Sequence, residues 1–218
     1  MWHHSCENIA HKMQFLLDAG LSASALPPTA LHLAAAAGDA SLVRQMLNLG
    51  VSSAGQVVLS GWLPSYRGDP GHMTLMHCAS LAPKIQGEER VAEIMTMLLK
   101  HHQDPEGGSV SVRGTGFVDL EARNRARYHA GQLGMTVLLF HVHRTWHQRS
   151  RDKFLAGVIG DCAATLRLLL AAGANTTATC GQGCDALWHA ADRGCYGCIR
   201  TLFASVGYDR AAASKNLY

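Results

Sequence analysis

Four cysteines toward the C-terminal end carry the spacing of metal ligands. Cys180-x3-Cys184 and Cys195-x2-Cys198 form two knuckles with ten residues between them. That is the pattern of a four-thiolate zinc module, in which each sulfur lies about 2.3 Å from the ion. A second zone of possible chemistry runs from Arg123 to Lys153. Arg123, Arg125 and Arg127 open it, and Arg144, Arg149, Arg151 and Lys153 close it, with His141, His143, Trp146 and His147 interleaved. Cations beside a stacking aromatic are what phosphate or single-stranded nucleic acid requires. On a helix, His143 and His147 share a face at i, i+4, whereas His141 falls on another. Two imidazoles alone do not complete a zinc site.

Catalytic signatures are missing from the sequence. It contains no Gly-x-Ser-x-Gly elbow, no phosphate loop and no His-Glu-x-x-His. Gly114-Thr115-Gly116 lacks both a strand–loop–helix frame and a following Lys-Ser/Thr. Thirteen histidines and seven cysteines make chance Cys–His neighbours easy, and no motif marks one as a nucleophile. The expectation is a non-enzymatic protein with no cofactor and no small-molecule substrate.

The elements that position these residues are set by Pro28–Gly50, which reads as two short antiparallel helices. Thr29 is the expected N-cap of the first, because a threonine hydroxyl can accept a first-turn amide. Leu31, Ala34 and Ala35 share a face, and Gly38 supplies a left-handed stop. Asp39 and Ser41 reopen the chain into a helix whose Leu42, Val43, Met46 and Leu47 form an apolar stripe. The small face at Ala34–Ala37 admits a close neighbour. A pair this short must stack on copies of itself to bury its apolar face.

Copies are present. Thr74-Leu75-Met76-His77-Cys78-Ala79 repeats Thr29-Ala30-Leu31-His32-Leu33-Ala34, and Ile94–Leu99 supplies its rear half. Thr136-Val137-Leu138-Leu139 opens a third copy, which closes with Leu166–Asn175. Asp185-Ala186-Leu187-Trp188-His189-Ala190 opens a fourth, followed by Cys198–Phe203. Met13–Gly20 looks like the rear half of a unit whose front would need residues ahead of Met1.

These motifs resemble the ankyrin repeat, whose pattern carries T-P-L-H-x-A on a period of about 33 residues. Thr29–Ala35 with Gly38 is close to that opening, and Leu169-Leu170-Ala171-Ala172-Gly173-Ala174-Asn175 is closer still to the family's closing L-L-x-x-G-A-D. The openings at 29, 74, 136 and 185 are spaced 45, 62 and 49 residues apart, so the excess reads as inserted loops. Unit three departs most, with His141 and Val142 where small residues are expected. The resemblance implies an all-α, ankyrin-like helical solenoid of stacked helix-turn-helix repeats with hairpin loops and long insertions. It would form one array over 1–218: a half-unit at about 1–26, then units at about 27–59, 70–104, 132–178 and 180–210. Insertions would fall at about 51–73, 83–89, 103–131 and 143–160.

By the same resemblance the function is that of a scaffold binding a partner protein on the concave surface of hairpin turns and first helices. Carried over by register, the contact positions are Gln132, Leu133, His143 and Arg144 in unit three, and Gln182, Cys184, Asp192 and Arg193 in unit four. Ala36 and Ala37 are the unit-one equivalents and offer little grip. Trp62 and Tyr66, near the tip of an enlarged finger preceded by the expected strand Val57–Leu59, are candidate aromatic anchors. The register also weighs against zinc. Cys184 precedes the cap Asp185 and Cys195 follows the stop Gly194, so about nine helical residues separate the knuckles by about 13 Å.

Composition is compatible with this reading. Hydrophobic content of 48% supplies a core, and a net charge of +3 is too small to argue for nucleic acid. No 18-residue apolar run is present, so no membrane insertion is expected. The start, MWHHSCENIA, lacks a secretory pattern, and an odd number of cysteines on helical faces suggests reduced thiols inside the cell, in cytoplasm or nucleus.

Overall fold

The structure is a computed structural model that describes residues 2–22, 25–27, 29–51, 57–58, 72–81, 88–103, 119–124, 134–144 and 163–205. Within these residues the chain is helical, with one short two-stranded ribbon. The helices are α1 (Trp2–Asp18), α2 (Ala30–Ala37), α3 (Ala40–Asn48), α4 (Leu75–Ala79), α5 (Glu88–Gln103), α6 (Val137–Arg144), α7 (Ala163–Ala171), α8 (Ala186–Asp192) and α9 (Tyr196–Ala204). None of the described helices is long and apolar enough to cross a membrane.

The starts of these helices show which sequence signals act. Asp39 accepts the amide of Leu42 at 3.0 Å and the hydroxyl of Ser41 at 2.8 Å. Thr74 accepts the amide of His77 at 3.3 Å, and Asp185 that of Trp188 at 2.8 Å. Thr29 differs from the expectation, because its side chain makes no capping bond. The reason is its backbone: at φ −82° and ψ −8° it is already helical, whereas a capping residue normally lies in the extended region.

Five of the described helices stop in one way, whereas α4 and α9 end at Ser80 and Ser205 with negative φ. Gly38, at φ 78°, bonds to the Ala35 carbonyl, and the next amide, Asp39, bonds to Ala34. This paired closure recurs after α1, α3, α7 and α8 at Gly20, Gly50, Gly173 and Gly194, all with positive φ. It satisfies helix-end carbonyls that would otherwise lack partners.

Packing arranges the helices in two ranks. α2, α4, α6 and α8 lie side by side in a front rank, and α3, α5, α7 and α9 in a rear rank, each touching the next. Between ranks, α2 contacts α3, α4 contacts α5, α6 contacts α7, and α8 contacts α9. Helix α1 packs on α2 through a face that buries Ala10, Met13 and Leu17. It is continuous from Trp2, well ahead of the Met13 at which its repeat-like pattern begins. One apolar core runs through the stack, with Leu31, Leu42, Met46, Met76, Ile94, Met95 and Phe140 among its largest fully buried side chains. Ala34, Ala35 and Ala36 are also buried, as the close approach of α1 and α4 to α2 requires. His141 and Val142, the large residues of α6, are both fully buried, and α6 still contacts α4 and α8.

Each of the last three front helices is preceded by a chain reversal closed at one register. Val57 pairs with Met73 in the ribbon β1 (Val57–Val58) and β2 (His72–Met73). Asn124 donates its amide to the Met135 carbonyl at 3.0 Å, and Cys180 donates to Cys184 at 2.8 Å. Met73, Met135 and Cys184 are the residues immediately before Thr74, Thr136 and Asp185. The expected strand is therefore present at Val57–Val58. The tips of the two longer reversals, with Trp62, Tyr66, Gln132 and Leu133, lie outside the described residues.

The capping contrast is testable. Asp39→Ala should lower unfolding free energy by about 1 kcal/mol, and Thr29→Ala by no more than a few tenths. Urea denaturation followed by circular dichroism measures both, and equal losses would contradict the assignment.

Candidate functional site

Of the contact positions expected from sequence, His143, Asp192 and Arg193 fall where α6 and α8 adjoin, and Gln182 lies in the reversal before α8. Helix α8 starts at the Asp185 cap, and one turn later the chain presents His189 toward α6. The C-cap of α8 is Arg193. His143 and His189 meet edge to face with ring centroids 5.2 Å apart and Nδ1 atoms 3.4 Å apart. One guanidinium nitrogen of Arg193 stands 3.2 Å from Nδ1 and 3.5 Å from Nε2 of His143. Asp192 in turn holds Arg193 at 3.1 Å. His143 and His189 are buried, and so is His141 on the same helix as His143. His143 is thus a packing residue between two front helices rather than an exposed contact. Gln182 and Asp192 are exposed and Arg193 is half-buried.

Burial pushes the His189 imidazole down to about 4, and the Arg193 cation pushes the same way against the opposing carboxylates of Asp192 and Asp185. Burial likewise lowers the Arg193 guanidinium from its ordinary value. The cluster is therefore built around a neutral His189 beside a cation that a carboxylate anchors at its rim.

A second buried histidine ties successive units together. His77 Nε2 lies 3.0 Å from the Met135 carbonyl, and its Nδ1 lies 2.7 Å from the Thr74 hydroxyl. A carbonyl only accepts, so Nε2 carries the proton and the hydroxyl donates to Nδ1 in the neutral ring. The ring also packs edge-on against Phe140 of α6, with centroids 5.4 Å apart. Burial lowers the His77 pKa to about 4, against a smaller opposing effect of the Met135 carbonyl.

The cysteines divide into two pairs with different surroundings. Cys180 and Cys184 close the turn before α8, and the backbone joins them. Cys195 and Cys198 lie in the first turn of α9, after α8 has ended. Among the described residues, no group of three or more His, Cys, Asp or Glu side chains is disposed to hold a metal ion. Of the basic zone, Arg123 is described through its contacts: one guanidinium nitrogen donates to the carbonyls of Gly134 and Thr179, both at 2.6 Å. It joins the reversal before α6 to the one before α8. Arg125, Arg127, Trp146, His147, Arg149, Arg151 and Lys153 lie outside the described residues, as does the side chain of Arg144.

Sequence reasoning missed the pairing of His143 with His189. Aligning Thr136 with Asp185 puts His143 at the register of Asp192, about one helical turn beyond that of His189, so adjacent front helices bring the two rings together. That signal was available once the repeat register was set. Compared with models of known protein families and with curated proteins, the chain matches none.

The two lowered histidines set a pH dependence. Their folded pKa values of about 4 lie below the ordinary 6.5, so the unfolded chain binds more protons between those limits. Stability is then fully present above about pH 6.5 and is lost as pH falls toward 4. The shift of the fully buried His77 corresponds to about 3 kcal/mol. Urea melts from pH 7 to pH 4.5 should show this loss, and His189→Gln should give a shallower pH slope than the parent. Parallel slopes would contradict the assignment.

Proposed function

We propose that the chain is an ankyrin-like solenoid and works as a non-enzymatic scaffold that binds a partner protein. The observation that carries this reading is the recurring register. A closing pair stands directly before Thr74, Thr136 and Asp185, and a front helix and then a rear helix follow each one. In this reading the reversals, each closing at the start of a front-rank helix, would follow one another along one side of the stack. Such a row offers an extended surface whose specificity lies in a few side chains.

The partner surface in this reading centres on the reversal before α8 and the exposed end of that helix. Gln182 stands exposed at the reversal, and Asp192 and Arg193 form an ion pair at the helix end. Because Asp192 and the His143 imidazole hold Arg193, its guanidinium meets a partner with part of its freedom already lost, which lowers the entropic cost of binding. Arg144, Trp62, Tyr66, Gln132 and Leu133 complete the surface by register. An intracellular location, in cytoplasm or nucleus, belongs to the same reading.

The rival readings draw less support from the geometry. In the Arg123–Lys153 zone, proposed for phosphate or nucleic acid, the described cation Arg123 already gives one guanidinium nitrogen to two backbone carbonyls. A zinc-stabilised module would need Cys180, Cys184, Cys195 and Cys198 to converge from opposite ends of α8.

The test uses a partner identified with the full chain. Gln182→Arg combined with Asp192→Lys should weaken that complex at least tenfold, about 1.4 kcal/mol, with the helical circular dichroism unchanged. Both positions are exposed, and the circular dichroism checks that loss of the Asp192–Arg193 ion pair leaves the helices in place. Undiminished binding by calorimetry would contradict this surface.

A further inference from the structure

Cys195 and Cys198 take no part in the proposed binding surface, yet they meet at the first turn of α9. Cys195 caps that helix: its sulfur accepts the amide of Cys198 at 3.4 Å. The two sulfurs lie 2.7 Å apart, in contact but well beyond the about 2.05 Å of a covalent bond. Both are thiols. The Cys-x-x-Cys spacing at a helix start is the one from which redox-active disulfides are built. The amide at 3.4 Å also supplies a hydrogen bond to negative charge on the Cys195 sulfur.

The neighbouring pair provides a contrast. Burial, and then Cys180, push the Cys184 thiol up to about 11, which leaves little thiolate there at neutral pH. Cys195 and Cys198 are themselves buried, and the residue between Cys195 and Gly197, Tyr196, is 75% exposed, so the pair lies in the turn where the chain reaches the surface.

We infer that Cys195 and Cys198 form a reversible dithiol–disulfide couple whose oxidant is a low-molecular-weight disulfide. Cys195 is the more accessible of the two, at 5% exposed against 0% for Cys198. As a thiolate it attacks one sulfur of the small disulfide, forming a mixed disulfide. The small disulfide's S–S bond breaks, and the departing thiolate takes up the proton that Cys195 released. The Cys198 thiolate then attacks the Cys195 sulfur. The mixed bond breaks, and a second small thiolate leaves and takes up the proton of Cys198. In sum, two protein thiols lose two electrons and two protons, and one small disulfide becomes two small thiols. Closure replaces a thiol contact and a capping bond with a covalent bridge at the start of α9, which packs on α7 and α8.

The experiment equilibrates the full chain in glutathione buffers of graded oxidised-to-reduced ratio, quenches with acid, alkylates and maps the peptides by mass spectrometry. The Cys195–Cys198 disulfide should form at a ratio at least tenfold lower than any modification of Cys78, Cys180 or Cys184, and dithiothreitol should reverse it. This titration needs no variant. In addition, Cys198→Ser should stop at a persistent glutathione adduct on Cys195, with circular dichroism reporting that the helices remain. Glutathione adducts on the parent chain without closure would overturn the inference. So would a Cys180–Cys184 bridge forming first, or no reaction at this pair.

Discussion

Front helices of five to eight residues cannot stand alone in water, because nucleating a helix is costly and each new turn returns little. Every pair here depends on the pair beside it. Apolar side chains between the two ranks carry most of that dependence, and small residues let the ranks close up where α1 and α4 meet α2. Directional bonds set the register within this apolar packing. The Met135 carbonyl accepts both the amide of Asn124 and the ring of His77, so one oxygen fixes a chain reversal and fastens it to the preceding unit.

Buried polar groups are the cost of that arrangement. His77, His141, His143 and His189 lie in or beside the core. An imidazole is tolerated there when it stays neutral and hydrogen-bonded. His77 satisfies both conditions, with a donor on one side and an acceptor on the other. Between α6 and α8 the solution is different: two rings share a contact beneath Arg193, and Asp192 offsets part of the cation's charge from the rim. The end of α8 thereby joins internal packing to the surface proposed for partner binding.

Much of this was legible in the residues, and the exceptions have physical causes. Asp39, Thr74 and Asp185 cap as their chemistry suggests, and Gly38 and Gly50 end helices in the left-handed conformation. Thr29 fails as a cap because residue type does not report backbone angle, and its own angles are already helical. The register carried over from the ankyrin resemblance puts His143 on the contact surface, but a register does not show that the adjacent helix covers that position. Arg123 belongs to a run of cations in the sequence, yet its guanidinium serves two carbonyls. Long-range partners of this kind follow from how units abut, which a one-dimensional pattern does not record.

The cysteines show the same limit in another form. Their spacing resembles a metal site, whereas the fold gives one pair to a turn and the other to a helix start. The central claim is that one closing register recurs along the stack, and site-resolved amide hydrogen exchange tests it most directly. The amides of Asn124, Gly134, Cys180 and Gly183, which make the closing bonds, should be protected alongside the amides of α6 and α8. If those four exchanged at the rate of free peptide while the helices stayed protected, the recurring register would be contradicted.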